Sequence, residues 1–296
     1  NSEKESYVLE LNDIRIVSGA RGFILNKVNN LQDNYADNAV LVGNPKFNLE
    51  ESDFSTNEIA SSQRDFNIFE LDSLSRAGIR PLPGTLKEVT SLKNLLVKNN
   101  WKVDLLEGVN ASEKHLKEIK SPRILHISTH GFFLSKEQSL NHFSNLKSSN
   151  NSSNSFDNPL SRSGLLLSGA QNTISGEQKT FENGILTALE ARELNLLNTE
   201  LVVLSACETG LGEHVSGQGV YGLQRSMIEA GADNVIMSLW KVDDNATQIL
   251  MNYFYKYWIL DKINIRDALK KAQIDLMNTE EYFSPYYWGA FVLIAN

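Results

Sequence analysis

Residues 201–208 have the sequence LVVLSACE, a short apolar run that ends at Cys207, the single cysteine of the chain. A second run, ILHISTHG at 124–131, ends at His130 and Gly131. Both runs are continuously apolar rather than alternating, which is typical of strands that are covered on both faces. The two runs therefore predict neighbouring buried strands of one sheet.

Further apolar runs and segments with helical periodicity alternate along the rest of the chain. The other strand-like runs are 39–42, 102–106, 164–167, 234–237 and 291–295, and the predicted helices are 84–99, 111–119, 185–194, 219–230, 245–260 and 265–277. This alternation favours a mostly parallel sheet with helices on both faces, in which functional residues gather at the carboxyl ends of strands. The predicted fold class is therefore α/β with a mostly parallel central sheet.

Local signals refine this pattern at three places. Asn110 is predicted to cap the helix at 111–119, with Glu113 completing a capping box. In the segment 144–158, eleven of fifteen residues are Ser or Asn, which predicts a flexible surface loop, either a spacer or a site of regulatory cleavage. The segment 47–83 is a long polar excursion with a short predicted helix near 68–75.

The composition of the 296-residue chain is that of a soluble globular protein. Apolar residues make up 41%, charged residues 22%, and mean hydropathy is -0.28, which excludes collagen-like, disordered and membrane-spanning classes. The net charge of -8 has the wrong sign for a protein that binds by neutralising phosphates, so direct nucleic-acid binding is not expected. No apolar run approaches the roughly 20 residues needed to span a bilayer.

Cysteine usage and the first residues of the chain bear on its context. A single cysteine allows no internal disulfide and no Cys-rich zinc site, which is typical of a reducing compartment and favours a cytoplasmic location. The sequence opens NSEKES, without an initiator Met or a signal peptide, and we expect it to be a piece of a longer protein.

The two strand ends carry residues suited to thiol chemistry. A free thiol is mostly protonated at pH 7, so cysteine catalysis needs a neighbouring base, which His130 would supply to Cys207. The backbone amides of Gly131 and Cys207 would then serve as oxyanion donors. The alternative is structural, because a lone cysteine after an apolar strand is commonly a core residue. His126, inside its apolar run, is interpreted as a hydrogen-bonded core histidine.

Several ordered motifs together resemble the CHAT-domain proteases, a group of caspase-like cysteine peptidases related to caspases and separase. The motifs are STHG at 128–131, SACETG at 205–210, GQG at 217–219, AGA at 230–232 and SLWKVDD at 238–244, with weaker matches at 82–85, 163–167, 184–188 and 287–293. The resemblance extends from about residue 40 to the C-terminus. It implies a caspase-like α/β/α sandwich and a cysteine endopeptidase without metal or other cofactor, in which His130 is the general base and Cys207 the nucleophile.

The same resemblance implies a domain layout and a biological setting. We expect a lead-in at 1–38 that continues from an upstream region, and a protease domain at 39–296, with an N-terminal part at 39–120 and a catalytic part at 121–296. The expected partners are a protein or peptide substrate and a tetratricopeptide-repeat (TPR) or other sensor region, with no membrane association. Bacterial defence by activation of a gasdermin-like or other partner protein is one expected role.

Substrate-binding residues are predicted near the two strand ends and after 234–237. Trp240, Asp243 and Asp244 follow that run, and Glu208 follows Cys207. An acidic pocket formed there would favour Arg or Lys at the P1 position of the substrate, although related proteases also cleave after apolar residues. The alternative is that Asp243 or Asp244 caps the helix beginning near residue 245.

Other function classes are weaker. The sequence GQGVYG at 217–222 matches a dinucleotide-binding fingerprint, but nine residues separate it from the preceding strand. His126 and His130 have no further ligand cluster that would hold a metal. The aromatic residues Phe254, Tyr255, Tyr257 and Trp258 are interpreted as core or a docking face rather than a base-stacking surface. The main rival is an inactive caspase-like scaffold.

Overall fold

The computed structural model describes residues 6–12, 14, 16–17, 35–53, 78–133, 159–177, 182–208, 218–240 and 243–295. The predicted loop at 144–158 and the predicted short helix near 68–75 lie outside the described residues. None of the helices in the described part is long and apolar enough to cross a membrane.

Over these residues, nine strands form one sheet. They are β1 (Ile16–Val17), β2 (Asn38–Pro45), β3 (Lys102–Gly108), β4 (Ile124–Phe133), β5 (Ser163–Leu166), β6 (Ile185–Thr187), β7 (Leu201–Glu208), β8 (Asn234–Ser238) and β9 (Phe291–Ala295). The main order is β1-β9-β8-β7-β4-β2-β3, and β5 and β6 extend it from β4. The strands β2, β3, β4, β7 and β8 are mutually parallel, whereas β5, β6 and β9 make antiparallel pairs. The predicted mostly parallel sheet is confirmed.

The helices surround this sheet. They are α1 (Val8–Leu11), α2 (Pro83–Lys98), α3 (Glu113–Lys117), α4 (Ala170–Ile174), α5 (Ala188–Ala191), α6 (Gln218–Glu229), α7 (Asp244–Tyr255), α8 (Ile265–Met277) and α9 (Pro285–Trp288), and a π-helical turn, Lys256–Leu260, continues α7. Short 3-10 turns lie at Glu51–Asp53 and Pro159–Arg162. The predictions for α2, α6, α7 and α8 are confirmed to within one residue at each end when the π-helical turn is counted with α7.

Two predicted local structures are wrong. Residues 185–194 are not one helix, because β6 occupies Ile185–Thr187 and pairs with β5, and only Ala188–Ala191 forms a helical turn. Thr187 ends the strand and caps that turn, in a capping box with Glu190. The cap of α3 is Ser112 rather than Asn110, since the Ser112 side chain accepts from the His115 amide.

Helices cover both faces of the sheet, as predicted for an α/β/α sandwich. One layer packs α2, α7 and α8 against strand residues that include Leu41 and Val203. The opposite layer packs α3, α5 and α6 against strand residues that include Val42 and Val202. Neighbouring residues of one strand thus enter opposite layers, as the period of two in a strand requires.

Helix α2 lies especially close to the sheet. A Cβ atom at Gly43 of β2 would stand 2.9 Å from both methyl carbons of Val89 in α2, so the helix can pack here only against a glycine. Glu88 precedes Val89 in the same helix and is also buried. This close approach brings a carboxylate from α2 to the face of the sheet that holds His126.

Candidate active site

His130 and Cys207 occupy paired positions on neighbouring parallel strands. The register of β4 and β7 pairs Ser128 with Ser205, His130 with Cys207 and Gly131 with Glu208. Neighbouring strands lie about 4.8 Å apart. The backbone thus brings together two residues that are distant in sequence, near the carboxyl ends of the two central strands.

The side chain of His130 is held by a main-chain contact. Its Nε2 lies 2.8 Å from the carbonyl oxygen of Arg80. A carbonyl oxygen only accepts, so Nε2 carries the proton and donates it, and in the neutral ring Nδ1 is the basic nitrogen. The ring of Phe47 lies beside the imidazole, with ring centroids 5.5 Å apart. The segment before α2 therefore selects the tautomer of His130.

This role of Arg80 has no counterpart in the sequence predictions, which assigned no residue to orient His130. The contact uses the Arg80 carbonyl, a group that every residue type carries. A pattern of residue types therefore holds no signal for it. Only the path of the chain before α2 reveals it.

The strand that carries His130 extends beyond it. β4 continues to Phe133, and its last four residues pair with β5, with Gly131 opposite Leu165. Gly131 thus lies inside the sheet, between Leu165 of β5 and Glu208 of β7, rather than after the strand. The oxyanion role of the Gly131 and Cys207 amides stays a prediction.

Three of the predicted substrate residues, Trp240, Asp243 and Asp244, follow the carboxyl end of β8, whereas Glu208 is the last residue of β7. Asp243 caps α7, and its Oδ1 accepts from the amides of Asn245 and Ala246, each at 3.0 Å. The structural alternative considered for Asp243 is therefore confirmed. Trp240 is partly exposed, and its indole nitrogen donates to the carbonyl of Tyr286 at 2.9 Å.

Asp244 lies against the start of α2. A Cβ atom at Gly84 would stand 2.7 Å from Cβ and 2.9 Å from Oδ2 of Asp244. Gly84 is four residues after Arg80, whose carbonyl contacts His130. The short segment from Arg80 to Gly84 thus connects the surroundings of His130 with those of Asp244, while Glu208 is placed by the register opposite Gly131.

A buried polar network lies next to these positions, on the face covered by α2 and α7. Glu88 Oε1 lies 2.9 Å from Nε2 of His126, and Glu88 Oε2 accepts from the hydroxyls of Ser128 at 2.7 Å and Ser205 at 3.2 Å. His126 is fully buried, and its Nδ1 lies 3.1 Å from the hydroxyl of Tyr255. The interpretation of His126 as a hydrogen-bonded core histidine is confirmed.

Glu88 is a residue that the sequence predictions missed. It lies four residues before Leu92 and eight before Leu96, both buried, so it is a charged residue within the apolar stripe of α2. That position was the available signal. Burial, and then the negative charge of Glu88, raise the pKa of Tyr255 well above its ordinary value, so Tyr255 keeps its proton and can donate it to His126.

The remaining predicted features have simpler outcomes. Phe254, Tyr255, Tyr257 and Trp258 are all buried and belong to the core that α2, α7 and α8 share, which confirms the core interpretation. Helix α6 begins at Gln218, and Gly217 lies outside the described residues. The described residues contain no group of three or more His, Cys, Asp or Glu suited to a metal ion.

Comparisons with known proteins identify the family of the chain. Tetratricopeptide repeat protein 28 of Mus musculus and of Homo sapiens are each 30% identical over 112 residues, 38% of this chain and only 4% of those proteins. The crystal structure of the Arg-specific cysteine proteinase gingipain R superposes with a TM-score of 0.49 at 8% identity, over 97% of this chain and 50% of that one. A model of the CHAT domain matches residues 1–296. The chain therefore belongs to the CHAT domain family.

Proposed function

We propose that the chain is a cysteine endopeptidase that cleaves a protein substrate through Cys207 and His130. The chain belongs to the CHAT domain family, and its motifs resemble those of the caspase-like cysteine peptidases in that family. The observation that carries the proposal is the register of β4 and β7, which pairs the only cysteine of the chain with a histidine. Both residues lie near the carboxyl ends of central parallel strands, where α/β folds commonly bind ligands.

The proposed reaction has two steps. His130 takes the proton of the Cys207 thiol, and the thiolate attacks the carbonyl carbon of the scissile peptide bond. The carbon–nitrogen bond then breaks as the imidazolium returns its proton to the leaving amine, which leaves a thioester on Cys207. Water, deprotonated by His130, attacks the thioester, and the acid product leaves as Cys207 regains its proton.

The contact between His130 and Arg80 supports this chemistry. Because Nε2 donates to the Arg80 carbonyl, Nδ1 is the nitrogen that would accept the thiol proton. The same carbonyl stabilises the imidazolium, since a charged donor makes a stronger hydrogen bond than a neutral one. A main-chain oxygen thus takes the orienting place that a third side chain would otherwise fill.

For substrate selection we propose that Asp244 and Trp240 border the P1 pocket, together with Glu208. Asp243 is the weaker candidate, because one of its carboxylate oxygens already caps α7. Asp244 lies against Gly84, close to the segment that holds His130. An acidic border would favour Arg or Lys at P1.

The setting is proposed from the relatives. The curated relatives are tetratricopeptide repeat proteins, and the matched part is 4% of their length. We propose that a TPR or other sensor region regulates this domain, and that it acts in the cytoplasm, with bacterial defence and activation of a gasdermin-like or other partner as the role.

Comparing cleavage products tests the function and the P1 preference together. The parent and Cys207→Ala proteins are each incubated with a peptide library made from a cell proteome, and the new N-termini are sequenced. We expect cleavages that require Cys207, with Arg or Lys enriched at P1 and reduced in Asp244→Asn. His130→Ala should lose the same cleavages, whereas His115→Gln, which changes a histidine on α3, should retain them.

Labelling with a covalent probe distinguishes an active cysteine peptidase from an inactive scaffold. A peptide chloromethyl ketone should label Cys207 in the parent and fail to label it in His130→Ala, because the thiolate is the reactive form. If neither cleavage nor labelling depends on Cys207 in the full chain with its sensor region, the domain is an inactive scaffold and the proposal is wrong.

A further inference from the structure

Two serines occupy matching positions just before His130 and Cys207. Ser128 is two residues before His130 on β4, and Ser205 is two residues before Cys207 on β7. The two serines are themselves register partners, as His130 and Cys207 are. Both are buried, so their hydroxyls need partners within the protein.

A single carboxylate oxygen satisfies both hydroxyls. Glu88 Oε2 accepts from Ser128 at 2.7 Å and from Ser205 at 3.2 Å. Glu88 is itself 4% exposed and belongs to α2, outside the sheet. The carboxylate therefore connects β4 to β7 through their side chains, in addition to the hydrogen bonds of the backbone.

The other oxygen of Glu88 is also engaged. Oε1 accepts from Nε2 of His126, and Tyr255 can donate its hydroxyl proton to Nδ1 of the same ring. Every donor in this chain of hydrogen bonds then has an acceptor, and the carboxylate has three donors. A sideways movement of Glu88 would leave buried polar groups without partners, which is costly.

The segment that precedes α2 connects this network to His130 from a second direction. The segment before the helix places the Arg80 carbonyl 2.8 Å from Nε2 of His130. The close packing of Val89 on Gly43 fixes the distance of the helix from the sheet at the residue next to Glu88. The segment that leads into α2 thus contacts His130, and α2 itself contacts both serine-bearing strands through Glu88.

We propose that Glu88 is a positioning residue, which holds Ser128 and Ser205 together and thereby sets the separation of His130 and Cys207 for proton transfer. The inference rests on the proposed function of that pair. Glu88 acts through the two strands and does not touch the substrate. Its effect falls on the geometry of the reacting groups, where a displacement of about 1 Å can cost roughly a hundredfold in rate.

The test uses small substitutions that are expected to preserve the fold. Ser128→Ala and Ser205→Ala each remove one arm of the bridge, and the matched control is Thr173→Val, which removes a buried hydroxyl bonded to the Asn183 carbonyl. We expect kcat for a peptide substrate to fall roughly 10- to 100-fold in the serine variants with KM little changed. The control should retain the parental kcat.

The pH profile of Cys207 alkylation by iodoacetamide is the second readout. Cys207 is the only thiol, so alkylation reports on it alone. In the parent, a paired thiolate should react well below the free-thiol pKa of about 8.5, and the serine variants should move the midpoint upward by about one pH unit. Glu88→Gln should preserve more of the parental profile than Glu88→Ala, because its amide oxygen still accepts from both serines.

The outcomes separate this inference from the proposed function. A parental profile like that of a free thiol, unaffected by His130→Ala, would mean that no dyad exists and that the proposed function fails. A low parental midpoint that His130→Ala abolishes, but that Ser128→Ala and Ser205→Ala leave in place with unchanged kcat, would overturn the positioning role of Glu88 alone. Lower melting temperatures of the serine variants without a shift in the profile would overturn that role in the same way.

Discussion

Glu88 and Glu113 are both buried glutamates, but their surroundings differ. Glu88 is 4% exposed and has three donors for its two oxygens, from His126, Ser128 and Ser205. Glu113 is 1% exposed, and its Oε2 has no hydrogen-bond partner among the described residues. The first carboxylate is the centre of a completed network, whereas the second is only half satisfied.

The charges around Glu113 explain its different state. Its Oε1 is bonded to Lys117, which also pairs with Glu182 at 3.1 Å and lies 3.7 Å from Glu190. One lysine thus faces three carboxylates. Burial first, then the nearby charge of Glu190 and a contact with Glu182, raise the pKa of Glu113 to about 8, even though the bond to Lys117 opposes the shift. Glu113 therefore holds its proton at neutral pH.

The difference shows that the number of hydrogen-bond donors around a buried carboxylate, rather than its degree of burial, decides whether it stabilises the folded state. A carboxylate with a full set of donors stabilises the arrangement around it, and removing it leaves those donors without an acceptor. A carboxyl group with too few donors destabilises the folded state once the pH favours its ionised form. Substituting each glutamate should therefore change stability in opposite directions.

The largest effect is expected for Glu88→Ala. Three buried donors lose their acceptor, so we expect the free energy of unfolding to fall by about 3 to 5 kcal/mol. Glu88→Gln should lose only about 1 kcal/mol, because the amide oxygen still accepts from the two serines. The amide nitrogen can donate to Nε2 of His126 once that ring takes its other tautomer, in which Nδ1 donates to the Tyr255 hydroxyl. Urea denaturation at pH 7 measures both, and equal losses in the two variants would contradict the importance of the shared acceptor.

Glu113→Gln should have a smaller effect with the opposite sign. In the unfolded chain this carboxyl titrates near 4.5, and in the folded protein near 8. Its favourable contribution is thus fully present below pH 4.5, and it is lost as the pH rises to about 8, since the unfolded state ionises first. Because Lys117 and the other carboxylates beside it readjust their charges when Glu113 ionises, we expect only part of the roughly 5 kcal/mol to which this shift converts. At pH 8 the Gln variant should exceed the parent by about 2 kcal/mol in free energy of unfolding, with little difference at pH 4.

The pH dependence is the critical part of that measurement. Glu118→Gln is the matched control, because Glu118 follows α3 but is exposed. It should leave the difference between pH 4 and pH 8 as in the parent. A Glu113→Gln protein whose stability falls between pH 4.5 and pH 8 as steeply as the parent's would show that Glu113 is not the group responsible.

The sequence predicts the central sheet well for a physical reason. β7 and β4 are continuous apolar runs because both of their faces are covered, and α8 shows a full helical stripe from Ile265 to Met277. The segment 185–194 misleads because its apolar residues recur at helical spacing, while Ile185 and Leu186 are buried by pairing with β5. Periodicity reports which residues are buried and not which partner buries them.

The residues of the candidate site likewise include some that the sequence predicts and some that it does not. His130 and Cys207 are recognisable because each lies at the end of a buried apolar run, and the register then pairs them. The sequence signal for Glu88 is weak, a single charged residue within the apolar stripe of α2, because its hydrogen-bond partners come from strands that are distant in sequence. For the carbonyl of Arg80 the sequence contains no signal at all. What depends on residue type and local spacing can be predicted, and what depends on the tertiary approach of main-chain groups cannot.

The smallest effect concerns the start of α3, which holds Glu113 in place. Ser112 has extended backbone angles, and its hydroxyl oxygen accepts from the His115 amide and lies 2.8 Å from Nδ1 of the same residue. The side chain of Asn110 is exposed, and the amide of Asn110 donates to the Glu107 carbonyl in a turn before the helix. Ser112→Ala should lower the free energy of unfolding by about 0.5 to 1 kcal/mol, and Asn110→Ala should leave it within about 0.3 kcal/mol of the parent. Because an intact first turn keeps Glu113 buried, Ser112→Ala should also weaken the pH dependence between 4.5 and 8. The reverse order of losses in urea denaturation would restore Asn110 as the cap, and with it the helix start that the sequence pattern predicts.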